Sequence, residues 1–450
     1  MSKDIRIKKG VDIQLFGQAD LKLENANRST YYTIKPTDFT GVTPKLHVRE
    51  GAKVDVGTPV FYDKNSPDVN FVSPVSGEVI EIKRGAKRKM LEIIIKANAQ
   101  DEYVDMGSIN LNSCSREELL QHLLKSGVWP FVRQIPYAVI ADPSITPKDI
   151  NVSAFNSAPL AADDSFMIEG QGDAFQKGLD ALKKLTSGNV NLNVKAKTNS
   201  STVFSNAQGV SKNTFAGPHP AGNNGVQIHH LNPVNKGEVV WYLRPQAVVA
   251  IGNLLLNSKY DPTRIVALCG EEVSQPKYYK TVQGANVSDI VGKSVSNDNV
   301  RYISGDILTG EKVEKDAHIN FYSNELTVVA EGNEPDFLGW ALPGASKLSL
   351  SRTFLSWMTP KKKYSVNTNL RGEERAYVVT GQYEQYLPMD IYPVHLIKAA
   401  LANDIELMEN LGIYEVTPED FALCEFACTS KMEIQAIIRE ALDLVKKELS

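Results

Sequence analysis

Three histidines fall in one run dense in glycine and proline, Gly217 to Asn235, reading GPHPAGNNGVQIHHLNPVN. Imidazoles ligate zinc or iron, but His219, His229 and His230 are spaced ten and then one apart, with no carboxylate or cysteine in the run. That spacing does not suit a metal site. The run reads instead as a structured loop whose backbone needs Gly217, Pro218, Pro220 and Gly222, and which meets a partner or ligand. In an extended segment His229 and His230 point to opposite sides. Cys424 and Cys428 lie four apart, on one face if helical. An iron-sulfur cluster takes four cysteines, and Cys114 and Cys269 lie in other predicted domains, so the pair reads as buried and unpaired. A glycine turn, Gly170-Gln171-Gly172, suggests a nucleotide. Phe175 stands where a third glycine is required, VNLNVKAKTN supplies no acid for a ribose, and Asp173 would repel a phosphate, so an ordinary tight turn is expected. The segment FLSWMTPKKK sets Phe354, Trp357 and Met358 beside Lys361, Lys362 and Lys363. An apolar anchor next to a basic cluster suits docking on a membrane protein's cytoplasmic face or on lipid head groups; the alternative is a solvated loop. No GxSxG, HExxH or GxxxxGK[ST] motif is present, so nothing local proposes a reaction.

The elements that position these residues change character along the chain. With 450 residues, three or four domains are expected. A hydrophobic content of 42% with 23% charge is that of a globular protein. A net charge of -4 argues against general nucleic-acid binding. The charged start MSKDIRIKKGVDI predicts no signal peptide, the longest apolar stretch is too short to span a bilayer, and four cysteines form no disulfide framework, which fits a reducing cytosol. Residues up to about Asn98 are β-rich. SCSREELLQHLLKSG then predicts a helix with Ser115 and Glu118 as a capping box and Gly127 at its end. Tyr137 to Ala141 reads as a short strand and Ser153 to Ala162 as an extended piece. SFMIEGQGDAFQKGLDALKKLTSG reads as strand, turn and helix, and VNLNVKA, VVWYLR and the helix QAVVAIGNLLLN complete an α/β layer. From Thr263 strands return in the order of a β-grasp unit, with a short helix capped by Asn286 or Ser288. After Phe337 the chain is helical, with VHLIKAALANDIELMENLG and MEIQAIIREALDLVKKELS as packed helices. The fold class is therefore α+β multidomain: a barrel-sandwich β domain over 1–100, a Rossmann-like α/β domain over 101–260, a β-grasp domain over 261–335 and a helical domain over 336–450.

The stretch LHVREGAKVDVGTPVFYDKNSPDVNFVSPVSGEVIEI resembles half of a lipoyl or biotinyl carrier domain. In those domains the modified lysine sits on a hairpin tip at a fixed distance from a Ser-Pro or Ala-Pro step. Here Lys64 is followed by Pro74 two residues too late, with Pro67 between them. A lengthened tip holding a proline is expected to leave Lys64 unmodified and the barrel a structural module.

The whole order of domains resembles the C subunit of the Rnf electron-transport complex and, without the barrel, the NADH-binding flavoprotein subunit of respiratory complex I. It is most similar to the A subunits of the sodium-translocating NADH:quinone oxidoreductases. IRIKKGVDIQLFG, LLKSGVWPFVRQIPY, GPHPAGNNGVQIHHLNPV and RPQAVVAIGNLLL carry the likeness, with the SLBB-type segment TRIVALCGEEVSQPKYY. The departures are informative. Flavin-binding relatives have a GRGGAGFPT-like loop where this chain has Trp129 and Phe131, whose bulk fills the flavin-phosphate approach. Cys424 and Cys428 match the last two of four cluster cysteines, with Pro418 and Phe421 at the first two. The resemblance thus implies a subunit holding no tightly bound cofactor, on the cytoplasmic face of the bacterial inner membrane, without a transmembrane segment. Its partners would be five other subunits, above all the integral-membrane B subunit, and FAD, FMN, riboflavin and Fe-S would belong to those others. Quinone is the expected substrate if the subunit touches one, with Trp129, Phe131 and Tyr137 stacking on the ring and Arg133 bonding a carbonyl. The rival for those four residues is packing within the α/β layer. Two other classes stay open: an FMN-containing NADH dehydrogenase flavoprotein, which would be coloured, and a free-standing β-grasp ligand-binding protein, which would need no membrane partner.

Overall fold

A computed structural model describes residues 2–197, 201–333, 338, 344, 347–350, 352, 354–378 and 381–449. The two first strands leave the domain that follows them. β1 (Asp4–Arg6) lies parallel to a strand of the α/β sheet, and β2 (Asp20–Asn25) lies parallel to a strand of the β-grasp sheet. The N-terminal residues expected to belong to the barrel thus tie the other two domains together, because short edge strands complete an existing ladder more readily than they form one.

The barrel's own strands are β3 (Tyr31–Ile34), β4 (Pro44–Leu46), β5 (Lys53–Val54), β6 (Pro59–Asp63), β7 (Ser66–Val72), β8 (Gly77–Arg84) and β9 (Met90–Ala97). They form two sheets in the orders β3-β9-β8-β5 and β4-β6-β7. Phe61 and Phe71 stack between them at 4.3 Å. Lys64 is exposed in a two-residue turn, Asp63 pairing with Ser66 across it. The tip is therefore not lengthened as expected. The register shift between Tyr62 and Asp63 takes up the extra residues, Pro67 included, as a bulge in β7.

Helix α1 (Arg116–Lys125) starts with the expected capping box: Glu118 N donates to Ser115 Oγ and Ser115 N to the Glu118 carboxylate. Gly127 beyond it has φ +78 and lies against Val72, so no side chain fits there. β10 (Arg133–Ile135), β11 (Val139–Ile140), β12 (Asp149–Ser153), α2 (Asp164–Met167), α3 (Gly172–Leu185), β13 (Val190–Lys195), α4 (Thr202–Asn206), β14 (Ser211–Ala216), α5 (Asn224–Leu231), β15 (Val240–Leu243) and α6 (Pro245–Asn257) complete the α/β domain. Its sheet runs β1-β14-β13-β12-β15-β10-β11, parallel from β1 to β15 and antiparallel after it. Three local expectations are corrected here. Residues 154–162 form no strand, and the SFMI segment is helical, because the Asp163 carboxylate caps it by accepting from Ser165 N and Phe166 N. His229 and His230 sit on α5 rather than in an extended loop. Helix α6 is apolar on nearly every side, in keeping with its burial from Pro245 to Leu255 on all but Asn253.

The glycines of the α/β layer serve helix packing. A Cβ on Gly178 of α3 would fall 2.1 Å from the Val248 carbonyl oxygen of α6, and one on Gly252 of α6 would fall 1.7 Å from that of Ala174 on α3. At Gly170 and Gly172 a Cβ would meet nothing within 4 Å. The turn accordingly lacks the tight surroundings of a phosphate cradle.

The β-grasp unit is β16 (Thr263–Cys269), β17 (Lys277–Val282), α7 (Val287–Val291), β18 (Val300–Ser304), β19 (Glu311–Val313) and β20 (Glu325–Ala330), with β2 at one edge. Asn286 caps α7 by accepting from Ser288 N. In the C-terminal part, the long helix expected from Val394 onward breaks into α8 (Pro393–Leu401) and α9 (Ile405–Asn410). Asn403 takes φ +53 and Asp404 caps the second helix through Leu407 N, an alternative that short polar side chains offer the backbone. α10 (Ala422–Ala427) and α11 (Ile434–Leu449) follow.

Candidate ligand crevice at the carboxyl edge of the sheet

In sheet order, β13 lies on one side of β12 and β15 on the other, so the winding reverses between β12 and β15. Open parallel sheets bind ligands outside the carboxyl ends of their strands at such a point. A crevice of about 430 Å³ opens there, lined by Asn156 after β12 and by Tyr242, Arg244 and Gln246 at the end of β15 and the start of α6. The other domains complete it: Thr37 and Asp38 from the barrel, Arg264, Ser304, Asp306, Tyr322 and Glu325 from the β-grasp unit, and Glu419 and Arg439 from the helical part.

The loop after α1 reaches this crevice through two of its four expected residues. Phe131 lines it, stacked on Phe321 at 4.5 Å with the Arg264 guanidinium 4.1 Å from its ring centre. Both faces of the ring are taken. Arg133 is half-buried, its guanidinium 5.2 Å from the Tyr242 ring and 5.0 Å from the Tyr322 ring, and one of its N–H groups donates to the Ala138 carbonyl at 3.0 Å. Trp129 does not reach the crevice: it is fully buried, edge-on to Trp241, and its indole N–H donates to the Ala141 carbonyl. Tyr137 packs edge-on against Tyr414, 6.3 Å away, and its carbonyl accepts from Arg439. Packing within the protein thus accounts for the aromatic members of the set.

The electrostatics mix unpaired cations with buried acids. Among the described residues neither Arg133 nor Arg264 has an ion-pair partner, while Arg439 pairs with Asp443 at 2.7 Å. Burial pushes the carboxyls of Asp38 and Glu325 up to about 7. Asp38 accepts from Phe321 N, and Glu325 from Ala162 N. Burial likewise raises the Tyr242 hydroxyl.

Behind the crevice, on the α5 side of the sheet, Asn193 donates to Asn151 and Gln227, Asn213 donates to Asn193, and Gln227 donates to Ser153. This amide network is buried. The alternation of Asn191 and Asn193 in VNLNVKA was its visible trace in the sequence. Tyr242, Arg264, Glu419 and Arg439 had no such trace, coming from three distant parts of the chain.

The other sequence candidates fall elsewhere. His219 is buried, its Nδ1 3.0 Å from Ser157 Oγ, and burial holds its pKa down to about 4. His229 pairs with Glu415 at 2.7 Å and His230 with the Pro388 carbonyl at 2.9 Å, both joining α5 to the helical domain. Cys424 and Cys428 are buried, and the Tyr383 hydroxyl lies 2.8 Å from Cys428 Sγ. Among the described residues no group of three or more His, Cys, Asp or Glu is placed to hold a metal ion. Of the basic docking segment, Phe354 is buried, which corrects its expected role as an outward anchor, whereas Trp357 is 54% and Met358 62% exposed. Lys361, Lys362 and Lys363 are exposed, Lys362 lying 5.3 Å from the Tyr364 ring centre. No helix among the described residues is long and apolar enough to cross a membrane.

Residues 5–98 match the family model described as the NqrA N-terminal barrel-sandwich hybrid domain, residues 114–260 that of the NqrA second alpha/beta domain, and residues 265–315 that of the NQRA C-terminal domain. The Na(+)-translocating NADH-quinone reductase A subunit of Pasteurella multocida is 37% identical over 99% of this chain and 100% of its own length. The proteins of the same description from Rhodopirellula baltica and Vibrio anguillarum are each 36% identical, over 98% and 99% of this chain and 98% and 100% of their own lengths. With three domain matches in register and likeness from end to end, the chain belongs to the NqrA family, the A subunits of the Na(+)-translocating NADH-quinone reductases.

Proposed function

We propose that the chain serves its reductase as a peripheral component without a redox cofactor of its own, seated on the integral-membrane subunits at the cytoplasmic face of the bacterial inner membrane. The complex couples NADH oxidation and quinone reduction to Na+ export. The observation that carries the docking role is the outward patch of Leu355, Trp357 and Met358 beside Lys361 and Lys363. Large exposed apolar side chains next to cations match a membrane protein's cytoplasmic rim. The absence of flavin is supported by Trp129 and Phe131, which pack into the core where flavin-binding relatives keep glycines. At the quinone site the chain caps rather than stacks, since Trp129 is sealed and both faces of Phe131 are covered.

The test is affinity purification of the tagged protein from solubilised membranes, followed by an NADH:quinone reductase assay with and without sodium. The wild type is expected to bring down five partners and Na+-stimulated activity. A Trp357→Ser/Met358→Ser double variant, folded as judged by its unfolding temperature, is expected to lose them. Full retention of the partners by that variant refutes the docking surface, and flavin absorbance in the isolated chain refutes the cofactor-free reading.

A further inference from the structure

A second cavity, of about 780 Å³, lies where the β-grasp sheet meets the N-terminal segment and the C-terminal part. Small-molecule sites hold about 300–1,000 Å³, so its size is that of a ligand pocket. Leu15, Ile303, Ile307, Leu308, Leu350 and Phe354 give it an apolar lining, and two further lining residues, Leu370 and Phe426, are 57% and 41% exposed. Apolar side chains left open to water in a concavity gain from an apolar ligand in proportion to the area it covers. The charges are one-sided: five cations line the cavity against one carboxylate, Glu373, which is exposed. Arg301 and Lys312 pair with Glu331 at 2.6 and 3.5 Å. The other three, Arg371, Arg375 and Lys431, have no ion-pair partner among the described residues. Chain contacts gather these three into one corner. Arg375 N donates to the Ser430 carbonyl at 3.1 Å, and a Cβ on Gly372 would fall 3.0 Å from Lys431 Cε, which lays the lysine stem over the residue next to Arg371. Arg371 donates a single N–H, to Asn367 Oδ1 at 3.3 Å. Burial holds the Lys431 amino group below the usual lysine range, so a carboxylate beside it replaces solvation that the cation has lost.

We propose that this cavity binds a long-chain fatty acid, its alkyl chain against the apolar lining and its carboxylate in the corner of Arg371, Arg375 and Lys431. An apolar groove alone would accept any hydrocarbon. The unpaired cations supply the selection: they favour an alkyl carboxylate over the alcohol of the same chain and repel an alkyl ammonium. Head and tail contacts come from different segments, the corner from residues 371–375 and 430–431 and the lining from β18 and the segments around Leu15 and Leu350. The two are therefore separable by substitution. The inference does not depend on the docking role, since neither Trp357 nor Met358 lines the cavity.

The experiment is titration calorimetry of the full chain with dodecanoate, decanoate, decanol and decyltrimethylammonium, each below the concentration at which it forms micelles and at a pH that keeps the carboxylates ionised. Saturable binding of one dodecanoate is expected, with decanoate about fifteenfold weaker, the worth of two buried methylenes. Decanol should bind at least about tenfold more weakly than decanoate, and decyltrimethylammonium not at all. The Arg375→Gln/Lys431→Gln double variant is expected to weaken decanoate about tenfold or more and to leave decanol unchanged, which also reports that the cavity is intact. The proposal is overturned if dodecanoate shows no saturable binding, if decanol or decyltrimethylammonium binds as well as decanoate, or if the double variant binds decanoate as the wild type does.

Discussion

Replacing Gly252 by alanine sets two physical effects against each other. In a helix interior, glycine to alanine is worth about 1 kcal/mol of stabilisation from propensity alone. At this position, however, the new Cβ would fall 1.7 Å from the Ala174 carbonyl oxygen on the facing helix. That atom is backbone and cannot rotate away, so α3 itself must retreat from α6. Overpacking costs about 1–3 kcal/mol, and a backbone obstacle puts this site at the upper end. The balance is a net loss of about 2 kcal/mol. At about 2–4 °C per kcal/mol for a domain of this size, the unfolding temperature should fall by about 4–8 °C. Gly172→Ala is the control, since its Cβ would meet nothing within 4 Å; it should leave the temperature unchanged or slightly raised. Calorimetric melts of the three proteins side by side make the comparison. If Gly252→Ala melts at or above the wild type, the helix-contact role assigned to this glycine is refuted and propensity governs the site.

Other consequences follow from the same geometry. Glu325 has its carboxyl raised to about 7 by burial, so the folded chain binds its proton more tightly than the unfolded chain does. The stability this group contributes is therefore full below the ordinary glutamate range and is lost as the pH rises through about 7. Glu325→Gln, which keeps an acceptor for Ala162 N, should gain on the wild type in urea melts as the pH rises from 4.5 to about 7, the window that the raised carboxyl spans; a constant gap would exclude the assignment. Phe354→Ala should destabilise the chain by about 3 kcal/mol because the ring is buried, whereas Trp357→Ala should leave the melting temperature unchanged. Thermal scans that show the reverse would swap their inward and outward roles. Ser115→Ala should cost about 1 kcal/mol by removing half of the capping box, and denaturant titration finding no loss would discount that cap.

Local patterns made much of the fold legible. The capping box at Ser115, the narrowing of the α7 cap to Asn286 or Ser288 and the apolar spacing of α11 were read from residues that lie close in the chain. Where a segment had two near-equal local choices, the reading failed. SFMI carries strand-like side chains, yet the Asp163 cap made it a helix, and Asn403 with Asp404 split what looked like one continuous helix. The destination of the first 25 residues was also out of reach, since a short strand's sequence does not say which sheet edge it will join.

What the sequence determined by itself was the family and the order of its domains. These are matters of residue identity and local periodicity. What only the tertiary structure decided was which residues of the loop after α1 line the crevice. Arg133 does so, Trp129 does not, and the companions of Arg133 come from Tyr242, Glu419 and Arg439, more than a hundred residues away. Burial and ring-face occupancy are properties of neighbours in space, and chain closure across four domains brings those neighbours together.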